Sequence, residues 1–405
     1  MDRRATDGLR QAQIRTTDPA EAVRRLHEEI AQPEGAALVL FFSSPALDPA
    51  QVSAELRQRF GDTPLMGCTT AGEIGPVGYL GGSLCGLSLP ASRFRVARCS
   101  FGGLDKLDFT RAREIVRDLQ DQLAAHPTDT TDTPGGASRT PGARFALLLV
   151  DGLSGCEEHL TRSLQAALGS IPLVGGSAGD GLDFQRTRVW ADGELACGHA
   201  ALALVATDLP VQVFMTQHFV PTDRRAVVTR ADPAHRIVHE IDGLPAAQAY
   251  ADLVGVPEAA LDAAVFAAMP MAVMIGGAPH IRSIVSVLPD RSLRFHCAID
   301  EGLVLRTSRG VDLRDKLAQT FAQLAEQLGP LQAVIGCDCV LRRLELEHSG
   351  QVEAVAALMR QHRVVGFTTY GEQYRGVHVN QTFTGLAIGT RIGPAAPATT
   401  ALSHD

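Results

Sequence analysis

Short unbroken apolar runs alternate along this chain with longer stretches whose apolar positions recur every three or four residues. AALVLFF (36–42), FALLLV (145–150) and QAVIGC (332–337) are of the first kind, and such runs predict strands buried on both faces. Helical spacing follows or precedes each of them. DPAEAVRRLHEEIAQ opens with Asp18 as N-cap and Pro19 at the first helical position, and LDPAQVSAELRQRF repeats the device with Asp48 and Pro49. Further helices are predicted over FTRAREIVRDLQDQLA, EEHLTRSLQAAL, about 233–241, PAAQAYADLVG, DLRDKLAQTFAQLAEQL and QVEAVAALMRQH. Strands are predicted at Ser83–Leu89, FRVARCSF (94–101), near 185–191, 198–206 and 211–219, and over RSIVSVL, LRFHCAI, LVLRTS and QTFTGLAIG. Strands alternating with helices predict an α/β fold, and the strand–strand runs predict mixed sheets with helices packed outside.

A motif recurs behind the three apolar runs. PLMGCTTAGEI (64–74), IPLVGGSAGDG (171–181) and RVVGFTTYGEQ (363–373) share an apolar lead, a Gly, small or hydroxyl residues, a second Gly and an acid. Internal repetition of a whole strand–helix–strand unit sets the architecture. Gly supplies conformations and close approaches that other residues reach only at a cost. Ser and Thr hydroxyls bond nearby backbone or a ligand. Loops of this composition at strand C-termini are where α/β proteins bind ligands. The three loops therefore predict a shared ligand site formed by Thr69, Thr70 and Glu73, by Ser177 and Asp180, and by Thr368, Thr369 and Glu372. The plainer reading, three tight turns, explains the Gly but not the recurring hydroxyls and acids.

Composition narrows the class. The chain has 405 residues, a net charge of −8 and a pI near 5.9, so no nucleic-acid footprint is expected. No run is long enough to span a membrane, and the polar start MDRRATDGLRQAQIRTTD lacks a secretory h-region, so a cytosolic location is expected. Eight scattered cysteines suit a reducing compartment better than a disulfide scaffold. Residues 126–143, HPTDTTDTPGGASRTPGA, read as a flexible insertion, and the tail 391–405 reads as disordered.

GCTTAGEI (67–74), GGSAGDG (175–181), IDGLPAAQAY (241–250), GCDCVLRRLE (336–345) and GFTTYGEQYRGVHVNQTFTGLAIG (366–389) resemble the FIST-domain family. The resemblance covers about residues 30–390 and implies two modules: a FIST N-type sensory module over 30–230 and a FIST_C-type module over 231–390, after an N-terminal segment 1–29 with an opening helix. It implies a protein that binds a small-molecule ligand and passes the signal to a partner. The stand-alone chain is similar to NosP-type nitric-oxide-sensing haem proteins, which implies haem b and a sensor histidine kinase as partner. The family-specific GCDCVLRRLE stretch adds Asp338, Cys339 and Arg342 to the site, at the end of the third unit's strand.

The residues leave alternatives open. A haem needs an axial ligand such as His or Cys, and thirteen histidines do not single one out. His280 and His378 fall in irregular segments, and His235 and His239 lie four apart on the segment read as helix. Several carboxylates around one site favour a cationic or zwitterionic ligand, so an amino-acid-like ligand without haem is the alternative. A thiol-dependent hydrolase is a third class. There Cys156, at a helix N-terminus with its pKa lowered, pairs with His159 one turn on. No GxSxG elbow or HExxH site is present, and no catalytic residue is assigned.

Overall fold

The computed structural model describes residues 8–125 and 142–390. The predicted insertion 126–143 falls outside them except for Gly142 and Ala143, and the predicted tail 391–405 lies outside them.

One unit is written three times. The first comprises β1 (Arg10–Arg15), α1 (Pro19–Ile30), β2 (Ala36–Ser43), α2 (Pro49–Phe60), β3 (Leu65–Thr69), the hairpin β4 (Glu73–Gly75) and β5 (Gly78–Leu80), and β6 (Ser83–Pro90). The second comprises β7 (Phe94–Phe101), α3 (Phe109–Ala125), β8 (Ala143–Val150), α4 (Glu157–Leu168), β9 (Leu173–Ser177), the hairpin β10 (Val189–Ala191) and β11 (Glu194–Ala196), and β12 (Ala200–Thr207). The third starts at β13 (Val211–Thr216) and is interrupted by an insertion. That insertion carries β14 (Phe219–Asp232), β15 (Ile237–Ile241), β16 (Leu244–Pro245), α5 (Ala246–Val254), α6 (Ala263–Ala268), β17 (Met271–Ile275), β18 (Ala278–Arg282), β19 (Ile284–Val287), β20 (Leu293–Phe295) and β21 (Val304–Gly310). The unit resumes with α7 (Leu313–Leu328), β22 (Ala333–Cys339), α8 (Val340–His348), α9 (Val352–Gln361), β23 (Val364–Thr369), the hairpin β24 (Glu372–Tyr374) and β25 (Val377–Val379), and β26 (Phe383–Ile388).

Each unit builds a six-stranded sheet with one borrowed piece. The orders are β1-β6-β2-β3-β10-β11, β7-β12-β8-β9-β24-β25 and β13-β26-β22-β23-β4-β5. The first unit's hairpin thus completes the third sheet, the second's completes the first, and the third's completes the second. The β2–β3, β8–β9 and β22–β23 pairs are parallel and the other pairings antiparallel, so the sheets are mixed as expected. The inner faces of all three sheets meet in one core that includes Leu40, Phe42, Leu147, Leu149, Ile335 and Phe367. Alternate residues of the same strands, such as Val39 and Phe41, pack outward under α1 and α2. Layers on both faces are the physical reason that these strands read as unbroken apolar runs.

Other expectations need correction. The helix predicted over about 233–241 is a single 3-10 turn, Pro233–His235, followed by β15. Arg236 adopts a left-handed conformation there and ends the turn. His239 is therefore on a strand, bonded to Ser292 at 2.9 Å, while His235 pairs with Asp232 at 2.7 Å, so the two do not form a clamp. Arg342 does not lie on a strand end but in the first turn of α8, which was not predicted. His280 and His378 lie on β18 and β25, not in irregular segments. No helix among the described residues is long and apolar enough to cross a membrane.

Candidate functional site

The three motif loops meet and close on one another. Ala71 N donates to Thr368 O at 2.9 Å and Thr368 N to Gly72 O at 2.7 Å. Gly179 N donates to Thr69 O at 3.0 Å, and Ser177 N to Gly371 O at 2.8 Å. Each loop so bonds both others. The acids of the first and third copies have matching partners. Glu73 accepts from the Thr70 hydroxyl at 2.5 Å and from the Ser83 hydroxyl at 2.7 Å. Glu372 accepts from Thr369 at 2.5 Å and from the Thr382 hydroxyl at 2.6 Å. The second copy is one residue shorter between its first Gly and its acid, and Asp180 has a different task. Its carboxylate caps the turn at Phe184, Gln185 and Arg186 through their backbone N–H groups and accepts from the Tyr370 hydroxyl. All eight loop residues are brought together and all are buried, with the hydroxyls and carboxyls of two copies directed at each other.

Burial pushes the Glu372 carboxyl up to about 8 and the Glu73 carboxyl up to about 7, with the hydroxyl donors opposing the rise in each case. Burial likewise lifts Glu157 to about 7 against Arg236. A carboxyl whose folded pKa is raised gives its full stability below the unfolded value and loses it as pH climbs through the folded one. The three buried carboxyls should therefore make stability fall from about pH 4.5 to about 7–8, and they do so unopposed by the unfolded chain's histidines between about pH 6.5 and 8. Glu372→Gln keeps the shape without the charge. It is expected to gain about 2 kcal/mol on wild type between those pH values, read from urea unfolding at each pH. A parallel pair of curves would show that Glu372 is ionised throughout.

Asp338 and Arg342 are also brought together. Arg342 Nε donates to Asp338 at 2.7 Å with both side chains buried. The Tyr79 hydroxyl donates to the other Asp338 oxygen at 2.5 Å. Arg342 reaches His218 at 3.3 Å, and the far nitrogen of His218 meets Glu345 at 2.9 Å. This chain of polar groups links the hairpin of the first unit, the third unit and the root of the insertion. Cys339 stands apart from it. Burial raises the Cys337 and Cys339 thiols well above their usual range, and Cys337 borders a central apolar cavity of about 20 Å³ with Phe42, Leu149 and Phe367.

A second polar cluster, less legible from the sequence, joins the insertion to the third unit. Ser283 donates to Gln381 at 2.9 Å across that junction. Arg282 and His280 from β18, His296 after β20, and His378 and Asn380 from the β25 hairpin gather there. His378 lies within electrostatic range of Glu158, Arg236, Arg282 and His296, and the position where Gly371 lacks a side chain is 2.3 Å from its ring and 3.3 Å from Asn380 Nδ2. Burial lowers His378 to about 4. His280, with Arg282 adding to burial, and His296, with Arg236 adding, are also lowered to about 4. These imidazoles are neutral at pH 7. Several buried groups have no partner among the described residues: His280 Nδ1, Arg282 Nε, both polar atoms of Asn380, and Gln373 Oε1. Buried polar groups are nearly always satisfied, and the exceptions call for a cause. The signal available in the sequence was HVNQT at 378–382, a polar run where a buried hairpin calls for apolar residues.

The thiol arrangement at Cys156 does not form. Burial, then Glu157, raises rather than lowers its pKa, and His159 is turned to the Leu107 carbonyl at 2.5 Å.

Residues 37–244 match the FIST N domain and residues 246–375 the FIST C domain. The chain belongs to the FIST family. FIST domains are associated with signal transduction and small-ligand sensing. The two FIST segments meet inside the insertion, just after β15, so the junction cluster draws on both: Glu158 and Arg236 from FIST N, and His280, Arg282 and His296 from FIST C. No curated protein matches the chain. No group of three or more His, Cys, Asp or Glu side chains among the described residues is arranged to hold a metal ion.

Proposed function

We propose that this FIST protein is a cytosolic sensor that binds a small polar ligand at the junction of insertion and third unit, around His280, Arg282, His378 and Asn380, and passes the change to a signalling partner. The observation that carries this reading is the set of buried, unpartnered polar atoms at one junction. Perturbed titratable groups gathered with unfilled polar groups are the usual mark of a binding site. The motif loops offer less: Glu73 and Glu372 are held by the Thr70 and Thr369 hydroxyls and Ser177 by Gln373, leaving the Thr368 hydroxyl without a partner there. The ligand class that suits the cluster is the amino-acid-like one, without haem.

Haem is the reading that the NosP-type resemblance supports. Its neutral-imidazole requirement is met by His280 and His378, but its size is not. Ligand pockets run to roughly 300–1,000 Å³, whereas the central cavity has about 20 Å³ and no imidazole on its wall, a surface recess of about 470 Å³ beside Arg10, Glu29 and Arg363 has neither His nor Cys on its wall, and both histidines are buried among packed side chains. The residues present do not fit haem. A histidine kinase as partner rests on the same resemblance.

The test is a thermal-shift screen of amino acids and organic acids, followed by hydrogen exchange on the best stabiliser. Slowed exchange at β18 and β25 is expected. Protection confined to the three motif loops would move the site there. A Soret band in protein expressed with haem supply would reinstate the haem reading.

A further inference from the structure

Resting on that placement of the site, we infer that the group recognised there is an oxyanion, a carboxylate or a phosphate, seated against Arg282 with Asn380 and His280 beside it. Arg282 is only 7% exposed. Its Nε has no partner, and its Nη1 donates at 3.1 Å to the carbonyl of the adjacent Ile281. No carboxylate pairs with it among the described residues. Two other arginines, the buried Arg342 and the half-buried Arg236, show what is missing. Arg342 holds Asp338 at 2.7 Å, and Arg236 clamps Glu157 at 2.6 Å and Glu158 at 2.8 Å. Carboxylates therefore exist near this junction but are committed elsewhere: Glu158 also accepts from Ala298 N at 2.8 Å.

A buried cation without a counter-charge is costly. The planar guanidinium fork matches the two oxygens of a carboxylate or phosphate. Asn380 adds an unpaired amide donor, and His280 an unpaired ring nitrogen. A cationic ligand would be repelled by Arg282, and a neutral one would leave the guanidinium uncompensated. An arriving anion also favours a protonated His280, now held low by burial and Arg282, so binding should take up protons and tighten as pH falls.

The full chain is to be titrated at fixed ionic strength with inorganic phosphate, succinate, glutamate, succinamide and choline, reading the melting temperature. Stabilisation by phosphate or by the carboxylates is expected, stronger at pH 6 than at pH 8, with none from succinamide or choline; which anion acts identifies the source of the oxyanion. Arg282→Met should fold, melt higher than wild type without ligand, and bind the anion at least tenfold more weakly. If it fails to fold, Asn380→Asp places a competing carboxylate in the cluster and should abolish the anion response. Stabilisation by succinamide or choline that is lost in Asn380→Leu keeps the site and overturns the oxyanion. Anion stabilisation unchanged in both Arg282→Met and Asn380→Asp overturns the site itself. Water alone in the cluster predicts no response to any anion, and that result also overturns the inference.

Discussion

Gly366→Ala is expected to destabilise the protein by about 3–5 kcal/mol or to leave it insoluble. A Cβ built at Gly366 lies 1.8 Å from the carbonyl oxygen of Gly336, its parallel neighbour in β22. The equivalent position in the second unit, Gly175, lies 1.9 Å from Leu148 O, and in the first, Gly67, 2.4 Å from Phe41 O. The cause is close approach of two backbones, since none of the three has positive φ. The opposing atom is main chain in a two-sided core and cannot step aside. Gly350 is the contrast: its φ is +68° and open space surrounds it, so Gly350→Ala should cost only about 1 kcal/mol. Urea unfolding of the pair decides. Equal losses would mean that the strands move apart and the contact is not what fixes the Gly.

Arg342→Met is expected to cost about 3–5 kcal/mol, because it strands Asp338 in the interior. Only Tyr79 would then remain on that carboxylate, while His218, whose pKa burial lowers, supplies no compensating charge near pH 7. Asp338→Leu combined with Arg342→Met should recover most of the loss, since exchanging a whole buried pair for apolar side chains is often close to neutral. A double-mutant cycle in urea measures the coupling. Strictly additive losses would show that the two side chains act on stability separately. Recovery would show that the pair costs as much to bury as it returns, and would favour a role in registering the insertion against the first and third units.

Much of the fold was legible because buried strands and amphipathic helices leave periods in the sequence. β7 matched its predicted span to the residue, and α1 and α2 began at the Asp-Pro devices. Among the elements missed were the three-residue hairpin strands other than β10, which falls within the strand predicted near 185–191, and α8, whose VLRRLELEH follows directly on β22. β1 was lost within a polar start, since only one of its faces is apolar. Of the candidate site, Asp338 on β22 and Arg342 on α8 could be paired only once the sharp strand-to-helix turn at Cys339 was known. Arg282 and Asn380 had no local signal beyond a polar run.

The sequence by itself determined that a unit occurs three times, that its strands are buried on both faces, and that each carries a Gly-anchored loop, because these properties are written in local period and composition. Only the tertiary structure decided that each unit lends its hairpin to another, that the motif loops bond one another through their backbones, and that Arg282 and Asn380, 98 residues apart, share a junction. Those outcomes depend on which backbone edges and buried charges find partners across the chain, and pairing between distant segments leaves no trace in either segment alone.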